Sequence, residues 1–482
     1  MKTPSGESAT GNSGEKSPVL DIRALLKQHE GRNYELHSAH VNPSNVRTLK
    51  TIGFDRCYVR AEGPYLWDVK GEKYLDMLSG YGVFGLGRNH PDVRRALIEF
   101  MNADYPSLVK MEAPLLSGLL AAELKKRVPN QLEMVFFSNS GAEGVETAIK
   151  YARCATGKAA IIHCQKAFHG LTYGALSLNG DESFREGFTP FLPDCRAIPF
   201  NNLEALEQEL RKRDVAAFIV EPIQGKGINI PSPGYLRDAA ALCHKYDALF
   251  IADEVQTGMG RTGRFLAIEH DGPVDADIVV LSKALSGGFV PVAATLCRKW
   301  IHDRVFFSMQ RSVVHSSTFS QGSLAMAAGL AALDVLDRQD LMSRARDLGN
   351  RIGEGLRALI PHYEFLKEVR WRGLMVGIEF GSPESLGLKA AWTLMHKLDK
   401  SLFPQAAVIP LLDKHHILTQ VAGHHIDVVK LLPPLVISNE DAEWFLSAFE
   451  DVLRGMHKFP GPAWDVIADI GRMAVTMRAR SS

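Results

Sequence analysis

The chain has 482 residues, enough for two or three domains. Its 55 lysines and arginines balance 55 aspartates and glutamates, and the resulting net charge of zero argues against a nucleic-acid partner. The six cysteines are scattered without a Cys-x-x-Cys pair and no apolar run approaches a membrane span, so we expect reduced thiols, a cytoplasmic location and no membrane or zinc site.

The first 80 residues combine a polar tail with a hairpin. Residues 1–17 are rich in Ser, Gly and Thr and lack an apolar core, which predicts a disordered tail rather than a secretory signal. Residues 18–33 hold one amphipathic helix, DIRALLKQH. The later stretch GPYLWDVKGEKYLDM predicts a hairpin that turns at Gly71 and leads into a glycine-rich loop. We assign residues 18–80 to a segment that contributes to a smaller domain.

Residues 81–336 alternate helical stretches, such as residues 115–127 and 235–247, with short apolar runs. Strands buried on both faces have such continuous apolar sequences. The pattern therefore predicts a large α/β domain with a mostly parallel sheet and helices on both of its faces. The strand candidates are Met134–Phe137, Ala160–His163, Ala217–Val220, Leu249–Ala252, Ile278–Leu281 and Val292–Leu296.

Residues 337–457 have a different order of elements. A helix over residues 337–359 precedes the strand VGIEF, and a last helix begins after Ser438, which is its predicted N-cap with acids in the first turn. This order predicts a smaller α+β domain. Residues 458–482 form a tail without a clear interpretation.

An acid and an amine follow two of the predicted strands. Asp253 comes at the end of the run Leu249–Ala252, and Lys283 follows the run Ile278–Leu281. Open α/β sheets bind their ligands at the carboxyl ends of strands. Alone, Asp253 is explained as a helix cap and Lys283 as a solvated loop lysine. Together they raise the question of a ligand between them.

The sequences around both residues carry a family resemblance. DEVQTGMGRTG, residues 253–263, and LSKALSGG, residues 281–288, resemble the signature of class III pyridoxal-phosphate aminotransferases, the ornithine and ω-amino acid type of fold type I enzymes. The resemblance extends over roughly residues 36–456. It implies a large domain, residues 81–336, that binds pyridoxal 5′-phosphate, together with the smaller α+β domain.

The resemblance gives Lys283 and Asp253 catalytic roles. A lysine amine forms a Schiff base with an aldehyde cofactor and then serves as general base and acid, which is the role implied for Lys283. Asp253 would pair with the pyridinium nitrogen of the cofactor. Such an ion pair at about 4 Å is worth about 4 kcal/mol at an effective dielectric of about 20, enough to keep the ring protonated at neutral pH.

The phosphate of the cofactor needs an anion site. Ser140, Gly141 and Ala142 stand where an apolar strand meets a helix, and helix N-termini offer free N–H groups to anions. Taken alone, this is equally explained as a capped helix. SGAEGVETAIK is similar to the family motif SGAEANEAAIK, which favours phosphate binding, although Gly144 and Val145 depart from its Ala and Asn.

The resemblance implies roles for further residues. Phe168 would stack on the cofactor ring, although phenylalanines are more often part of the hydrophobic core. Gln256 would hydrogen-bond the ring oxygen, and Thr318 would reach the phosphate of a neighbouring subunit, which implies a homodimer with shared sites. His169 and His315 are expected to be structural. The substrate side would be formed by Tyr81, Phe84, Glu221 and Lys430.

Two departures concern the substrate. Leu171 stands where ornithine-using and glutamate-using relatives commonly carry an arginine, and Lys430 stands where the family often carries one. A leucine cannot bind a carboxylate, and a lysine offers only a point charge in place of the two-pronged contact of an arginine. Alternatively, Lys430 faces solvent and Arg370 or Arg372 binds the carboxylate, although Trp371 replaces a usual glycine between them. We expect a diamine, an ω-amino acid or a larger apolar amine as the donor.

The sequence thus predicts a transaminase that moves an amino group from a primary amine to a 2-oxo acid in two half-reactions. An aminomutase or a decarboxylating transaminase would share the cofactor residues and stays an alternative. A non-catalytic binding subunit is a second alternative, opposed by the intact Lys283 and Asp253. A nicotinamide enzyme is less favoured because no G-x-G-x-x-G follows a first strand.

Overall fold

The computed structural model describes residues 19–398 and 402–458, so nearly all of both predicted tails lies outside the described residues. None of the described helices combines the length and the hydropathy needed to cross a membrane. The helices are α1 Ile22–Gln28, α2 Asn33–His40, α3 Pro43–Thr51, α4 Ser79–Gly82, α5 Pro91–Asn102, α6 Leu115–Lys125, α7 Gly141–Thr156, α8 Tyr173–Ser177, α9 Glu182–Arg185, α10 Leu203–Leu210, α11 Tyr235–Lys245, α12 Lys299–Val305, α13 Ser323–Arg338, α14 Leu341–Ala358, α15 Leu386–Leu398, α16 Leu402–Asp413 and α17 Asn439–Met456.

The strands form three sheets, of which the largest has the order β4-β10-β9-β8-β7-β5-β6. The strands are β1 Tyr58–Glu62, β2 Tyr65–Asp68, β3 Lys73–Asp76, β4 Met134–Ser138, β5 Ala160–Cys164, β6 Cys195–Ile198, β7 Val215–Val220, β8 Leu249–Asp253, β9 Ile278–Leu281, β10 Ala293–Cys297, β11 Leu366–Arg372, β12 Met375–Phe380, β13 Ile417–Leu418, β14 Gln420–Val421 and β15 Val428–Leu431.

The large sheet confirms the predicted mostly parallel architecture. Strands β5 to β9 pair in parallel, while β10 runs antiparallel to both β9 and β4. All six predicted strands are present. The additional strand β6 lies at one edge of the sheet and is only partly buried, so it lacks the continuous apolar run that marked the others.

Buried side chains cover both faces of this sheet because successive residues of a strand point to opposite sides. Phe218 and Phe250 belong to the larger apolar core, whereas their neighbours Ile219 and Ile251 belong to a second core on the other face. Helix α7 packs on that second face through residues that include Val145. The two cores hold the carboxyl ends of the central strands in fixed positions.

The N-terminal segment shares a sheet with the C-terminal part of the chain. The predicted hairpin is formed by β2 and β3, and Gly71 adopts a φ of +82° at its turn. Strand β3 also pairs in parallel with β13. This pairing joins sequence-distant segments, while the proposed boundaries at residues 80 and 336 stay a prediction.

The last part of the chain forms an antiparallel sheet of order β11-β12-β15-β14 with α14 and α16 against it, and α17 packs on these two helices. The predicted strand VGIEF lies in β12, and Ser438 caps α17 in a reciprocal capping box with Asp441. The helix predicted over residues 337–359 is divided, because α13 ends at Arg338 and Asp340 adopts a left-handed conformation before α14.

Candidate active site

The carboxyl ends of β7, β8 and β9 meet at one edge of the large sheet, because these strands are adjacent and parallel. A cavity of about 240 Å³ opens at this edge. It contains both residues that the sequence predicted as catalytic. The cavity is lined by Gly141, Ala142, Phe168, His169, Gly170, Asp253, Val255, Gln256, Ser282 and Lys283.

Lys283 stands two residues after the end of β9 in a left-handed conformation, with a φ of +44°. This conformation is costly for a residue with a side chain and is typical of functional sites. Within the described part of the chain, the Lys283 amine has no hydrogen bond or ion pair. Burial lowers the pKa of Lys283, while the charges of Asp253 and Glu221 oppose this effect. Lys283 is therefore a partly buried, unpaired amine in the lining of the cavity.

Asp253 is buried and held by two donors. Its Oδ2 accepts a hydrogen bond from Nδ1 of His169 at 2.7 Å, and its Oδ1 accepts from the N–H of Val255 at 3.1 Å. Burial tends to lower the pKa of His169, but the hydrogen bond and charge of Asp253 outweigh it, and the net pKa is raised. Sequence reasoning treated His169 as structural, and the structure places it against the predicted catalytic carboxylate.

The N-terminus of α7 forms one end of the cavity. Ser140 is the N-cap and its Oγ accepts from the N–H of Glu143 at 3.2 Å. The N–H groups of Gly141 and Ala142 have no partner among the described residues. Gly170 lies so close that a Cβ on it would be 2.6 Å from the Cβ of Ala142. The first turn of α7 thus presents free donors to the cavity, as an anion site requires.

The departure at Gly144 has a packing explanation. A Cβ at this position would lie 2.6 Å from Cγ1 of Val280 and 3.3 Å from Oγ1 of Thr295. The glycine therefore accommodates the larger side chains of β9 and β10 beneath α7.

Phe168 and Gln256 both line the cavity, as predicted. Phe168 is partly exposed and is therefore outside the core, and its ring meets that of Phe184 edge to face at 5.4 Å. Nε2 of Gln256 donates to the carbonyl of Tyr81 at 3.1 Å, while its Oε1 is buried without a partner among the described residues. One amide end is thus left for a further group.

Glu221 lies beneath Phe168 and outside the cavity lining. Its Oε1 accepts from the N–H of Phe168 at 2.9 Å and its Oε2 accepts from the N–H of Gly225 at 2.8 Å. Burial raises the pKa of Glu221. Both carboxylate oxygens are therefore used to fix the backbone around the cavity.

Lys430 is buried on β15, so its interpretation as a solvent-facing residue is wrong. Its Nζ lies 4.8 Å from the centroid of the Tyr81 ring. It has no hydrogen bond or ion pair within the described residues. Burial, with a further contribution from the charge of Lys283, lowers the pKa of Lys430 to about 8. A second amine thus lies close enough to Lys283 for the two charges to interact.

The alternative carboxylate ligands are engaged or exposed. The Arg370 guanidinium donates to the carbonyls of Gly227 and Ile228 and pairs with Glu379, and Arg372 is exposed. Neither lines the cavity. The structure therefore gives Arg370 a role in packing β11 and leaves Lys430, whose pKa the charge of Lys283 lowers, as the remaining one of the three candidates for a carboxylate.

Thr318 does not line the Lys283 cavity of its own chain. It is exposed and lines a separate cavity of about 430 Å³, together with Glu143, Thr147 and His315. His315 contacts Oγ1 of Thr147 at 2.8 Å, and burial lowers its pKa to about 4. Thr318 thus lies beside α7 of its own chain but outside the Lys283 cavity, and its contact with the phosphate of a neighbouring subunit stays a prediction.

Comparison with known proteins agrees with this geometry. Residues 50–453 match the family described as aminotransferase class-III. The chain belongs to the class-III aminotransferase family. It is 36% identical over 477 residues to aminotransferase PigE from Serratia sp. (strain ATCC 39006), covering 92% of this chain and 56% of that protein. It therefore spans little more than half the length of this curated relative.

Solved structures of other class-III aminotransferases share the fold. Ornithine aminotransferase from Toxoplasma gondii ME49 is 29% identical, with a TM-score of 0.78 over 91% of this chain and 99% of that chain. Acetylornithine aminotransferase from Elizabethkingia anophelis is 34% identical, with a TM-score of 0.69 over 87% of this chain and 98% of that chain. These neighbours confirm the predicted fold type I architecture.

Pyridoxal phosphate, the cofactor of class-III aminotransferases, fits the residues present. The free N–H groups of Gly141 and Ala142 suit its phosphate, the unpaired Lys283 amine suits its aldehyde, and Asp253 suits its ring nitrogen. The unpartnered Oε1 of Gln256 is an acceptor and suits the ring oxygen only in its protonated, hydroxyl form, because Nε2 already donates to the Tyr81 carbonyl. The assignment of each residue to its group stays a prediction.

Proposed function

We propose that the protein is a pyridoxal-phosphate-dependent aminotransferase that moves an amino group from a primary amine to a 2-oxo acid in two half-reactions. The observation that carries the proposal is the unpaired, left-handed Lys283 in one cavity with the buried Asp253. Bound pyridoxal phosphate supplies the aldehyde that takes up the amino group and a ring that withdraws electrons from the substrate carbon.

The residues of the chain provide binding and proton transfer. Lys283 holds the aldehyde through its amine and then removes and returns the proton at the substrate carbon. Its lowered pKa supports this, since a lysine at its ordinary pKa stays protonated at neutral pH. Asp253 keeps a proton on the ring nitrogen, and its hydrogen bonds with His169 and Val255 hold it in place.

The class of amino donor is proposed from the residues at the two positions where relatives bind a carboxylate, Leu171 and Lys430. Leu171 is exposed and offers no charge to a carboxylate. The ammonium of Lys430 attracts a distal carboxylate and repels the second ammonium of a diamine. We therefore favour an ω-amino acid among the three donor classes, followed by a larger apolar amine, with Tyr81 and Phe84 beside it.

The proposed assembly is a homodimer in which Thr318 serves the site of the other subunit. The segment around Thr318 is rich in exposed apolar side chains, among them Phe307, Met309 and Phe319. Large exposed apolar patches are typical of interfaces. We also propose a cytoplasmic location, which the six free cysteines support.

Two alternatives remain distinct from this proposal. An aminomutase or decarboxylating transaminase would use the same Lys283 and Asp253, and only the substrate separates them. A non-catalytic binding subunit is opposed by the strained backbone at Lys283, which a protein without chemistry has no need to maintain.

The deciding experiment is the absorbance spectrum of the purified protein supplied with pyridoxal phosphate, before and after single amines. The panel is a diamine, an ω-amino acid, an apolar amine, ornithine and glutamate. We expect a visible band that the ω-amino acid bleaches and a 2-oxo acid restores. Lys283→Ala should lack this band, whereas Lys299→Ala, an exposed lysine on α12, should keep it.

Each other outcome has a defined meaning. A band that no amine bleaches favours the aminomutase or decarboxylase. A band in wild type that survives in Lys283→Ala removes Lys283 from the cofactor, and no band in wild type contradicts the proposal as a whole.

A further inference from the structure

The substrate-side loop that contains α4 has an unusual backbone. Four consecutive residues have positive φ values, 45° at Ser79, 60° at Gly80, 60° at Tyr81 and 93° at Gly82. For Ser79 and Tyr81 this conformation is costly, because the Cβ crowds the backbone. Such a segment persists only when surrounding contacts hold it in place.

Asp76, just before the loop, supplies several of these contacts. It is buried, and its Oδ1 accepts the N–H groups of Leu78 at 3.0 Å and Ser79 at 2.7 Å. Its Oδ2 accepts Nε and Nη2 of Arg88 at 3.1 and 2.8 Å. The Asp76 carboxylate thus binds the start of the loop. Through its two hydrogen bonds from Arg88, it also binds the chain beyond the end of the loop.

Arg88 fixes the other side of the loop. Its guanidinium lies 4.0 Å from the centroid of the Phe84 ring, and a Cβ on Gly80 would be 3.1 Å from the same ring. Phe84 is therefore held between Arg88 and the backbone at Gly80. The ion pair thus holds one side of the Phe84 ring, while Gly288, where a Cβ would lie 2.5 Å from the ring, packs against it as well.

The loop is also attached to the strand that carries Lys430. Oγ of Ser79 donates to the carbonyl of Leu432 at 2.5 Å, and the N–H of Leu432 donates to the carbonyl of Met77 at 2.8 Å. Leu432 is two residues after Lys430, whose amine lies over the Tyr81 ring. The ion pair, the loop and the second amine thus form one connected unit.

We propose that the Asp76–Arg88 ion pair is a positioning device for the substrate, which sets where Tyr81 and Phe84 stand relative to Lys283. The inference rests on the proposed transamination and deepens it. Neither the ion pair nor Tyr81 and Phe84 belong to the lining of the Lys283 cavity. The loop is joined to that lining by Nε2 of Gln256, which donates to the carbonyl of Tyr81 at 3.1 Å, so the pair acts through the loop. It governs substrate binding and alignment, while the cofactor is held by α7, Asp253 and Lys283.

The test compares Asp76→Asn and Arg88→Lys with a control pair of the same kind. Asp277 and Arg298 form an ion pair whose side chains are 4% and 21% exposed, against 1% and 20% for Asp76 and Arg88. Asp277 also accepts a backbone N–H, from Phe250 at 2.8 Å. It precedes β9 and therefore lies at the opposite end of the strand from Lys283.

For each variant we would measure the pyridoxal phosphate dissociation constant, the Tm, and the KM and kcat for the donor found with wild type. Misplacement of about 1 Å costs up to about a hundredfold in rate. We expect Asp76→Asn to lower kcat/KM at least about tenfold, mainly through KM, with little change in cofactor affinity. Arg88→Lys keeps one charged contact, so its kcat/KM should lie between those of Asp76→Asn and wild type. Asp277→Asn should lower Tm and leave KM unchanged.

The outcomes separate this inference from the proposed function. If wild type turns over and Asp76→Asn and Arg88→Lys change Tm but not KM, the ion pair is only structural and the inference is wrong. An equal rise in KM for Asp277→Asn would also overturn it, because the effect would then be general loosening. If Asp76→Asn does not fold, the KM of Arg88→Lys decides. Absence of turnover in wild type contradicts the proposed function instead.

Discussion

At the scale of single residues, Lys430 combines a functional position with a cost in stability. Its pKa falls from 10.5 to about 8, mainly through burial, and this corresponds to about 3 kcal/mol lost from folding while the amine is charged. Below about pH 8 the folded and unfolded chains both hold the proton, and the cost is complete. Between about pH 8 and 10.4 the unfolded chain binds more protons, so stability rises with pH.

Lys430→Met should therefore be more stable than wild type at pH 7 and close to wild type above about pH 10.4. It should also raise the KM of a carboxylate-bearing substrate, since it removes the charge. Urea denaturation at both pH values measures the first effect, and steady-state kinetics the second. Equal stability of the two proteins at pH 7 would show that the amine is not desolvated in solution.

His169 gives a second prediction at this scale. His169→Leu removes the donor to Oδ2 of the buried Asp253, and an unsatisfied buried acceptor costs about 1–3 kcal/mol. We expect weaker pyridoxal phosphate binding, by about tenfold, measured by titrating the visible band. His169→Asn can still donate from its amide and should bind more tightly than His169→Leu. Equal affinities for both variants and wild type would leave His169 without a role at Asp253.

At the scale of elements, the sequence predicts those strands that have a regular pattern of apolar residues. Continuous apolar runs identified the strands that end at Asp253 and Lys283, and so brought both residues to one edge of the sheet. Strands β6 and β11 were missed because they are partly exposed and carry charges. The pairing of Asp76 with Arg88, like the use of Glu221 by two N–H groups, depends on loop conformation, which leaves no regular pattern in sequence.

The start of α7 offers a test of the anion site as an element. Gly170→Ala would place a Cβ 2.6 Å from the Cβ and 2.9 Å from the Cα of Ala142, at a φ of +122°. The first turn of α7 must then shift, and we expect lower pyridoxal phosphate affinity, measured by band titration. Gly157→Ala is the control, since Gly157 ends the same helix with a φ of +69° and open space around it.

This comparison separates the effect of backbone strain from that of displacing the first turn of α7. Both alanines adopt an unfavourable positive φ, so both should lower Tm. Only Gly170→Ala brings a Cβ against the backbone of that first turn. A loss of cofactor affinity of the same size in Gly157→Ala would mean that general destabilisation explains the effect.

At the scale of the whole molecule, the proposed homodimer would account for exposed apolar side chains near Thr318. Met111, Phe307 and Met309 are 98%, 71% and 89% exposed, and Lys110 donates to the carbonyl of Ser317 next to Thr318. Light scattering should therefore give the mass of a dimer. Thr318→Ala should lower pyridoxal phosphate affinity although Thr318 is absent from the Lys283 cavity of its own chain.

Mixing two inactive or weakened variants decides whether the sites are shared. If Thr318 serves the other subunit, a heterodimer of Lys283→Ala and Thr318→Ala subunits has one site that combines both substitutions and a second site with an intact Lys283 from one chain and an intact Thr318 from the other. The mixture should then regain the combination of tight cofactor binding and turnover, which neither homodimer has. If Thr318 acts within its own chain, every site carries one substitution and mixing restores nothing. Gel filtration of differently tagged subunits must show that heterodimers form, so that a lack of recovery contradicts the shared site.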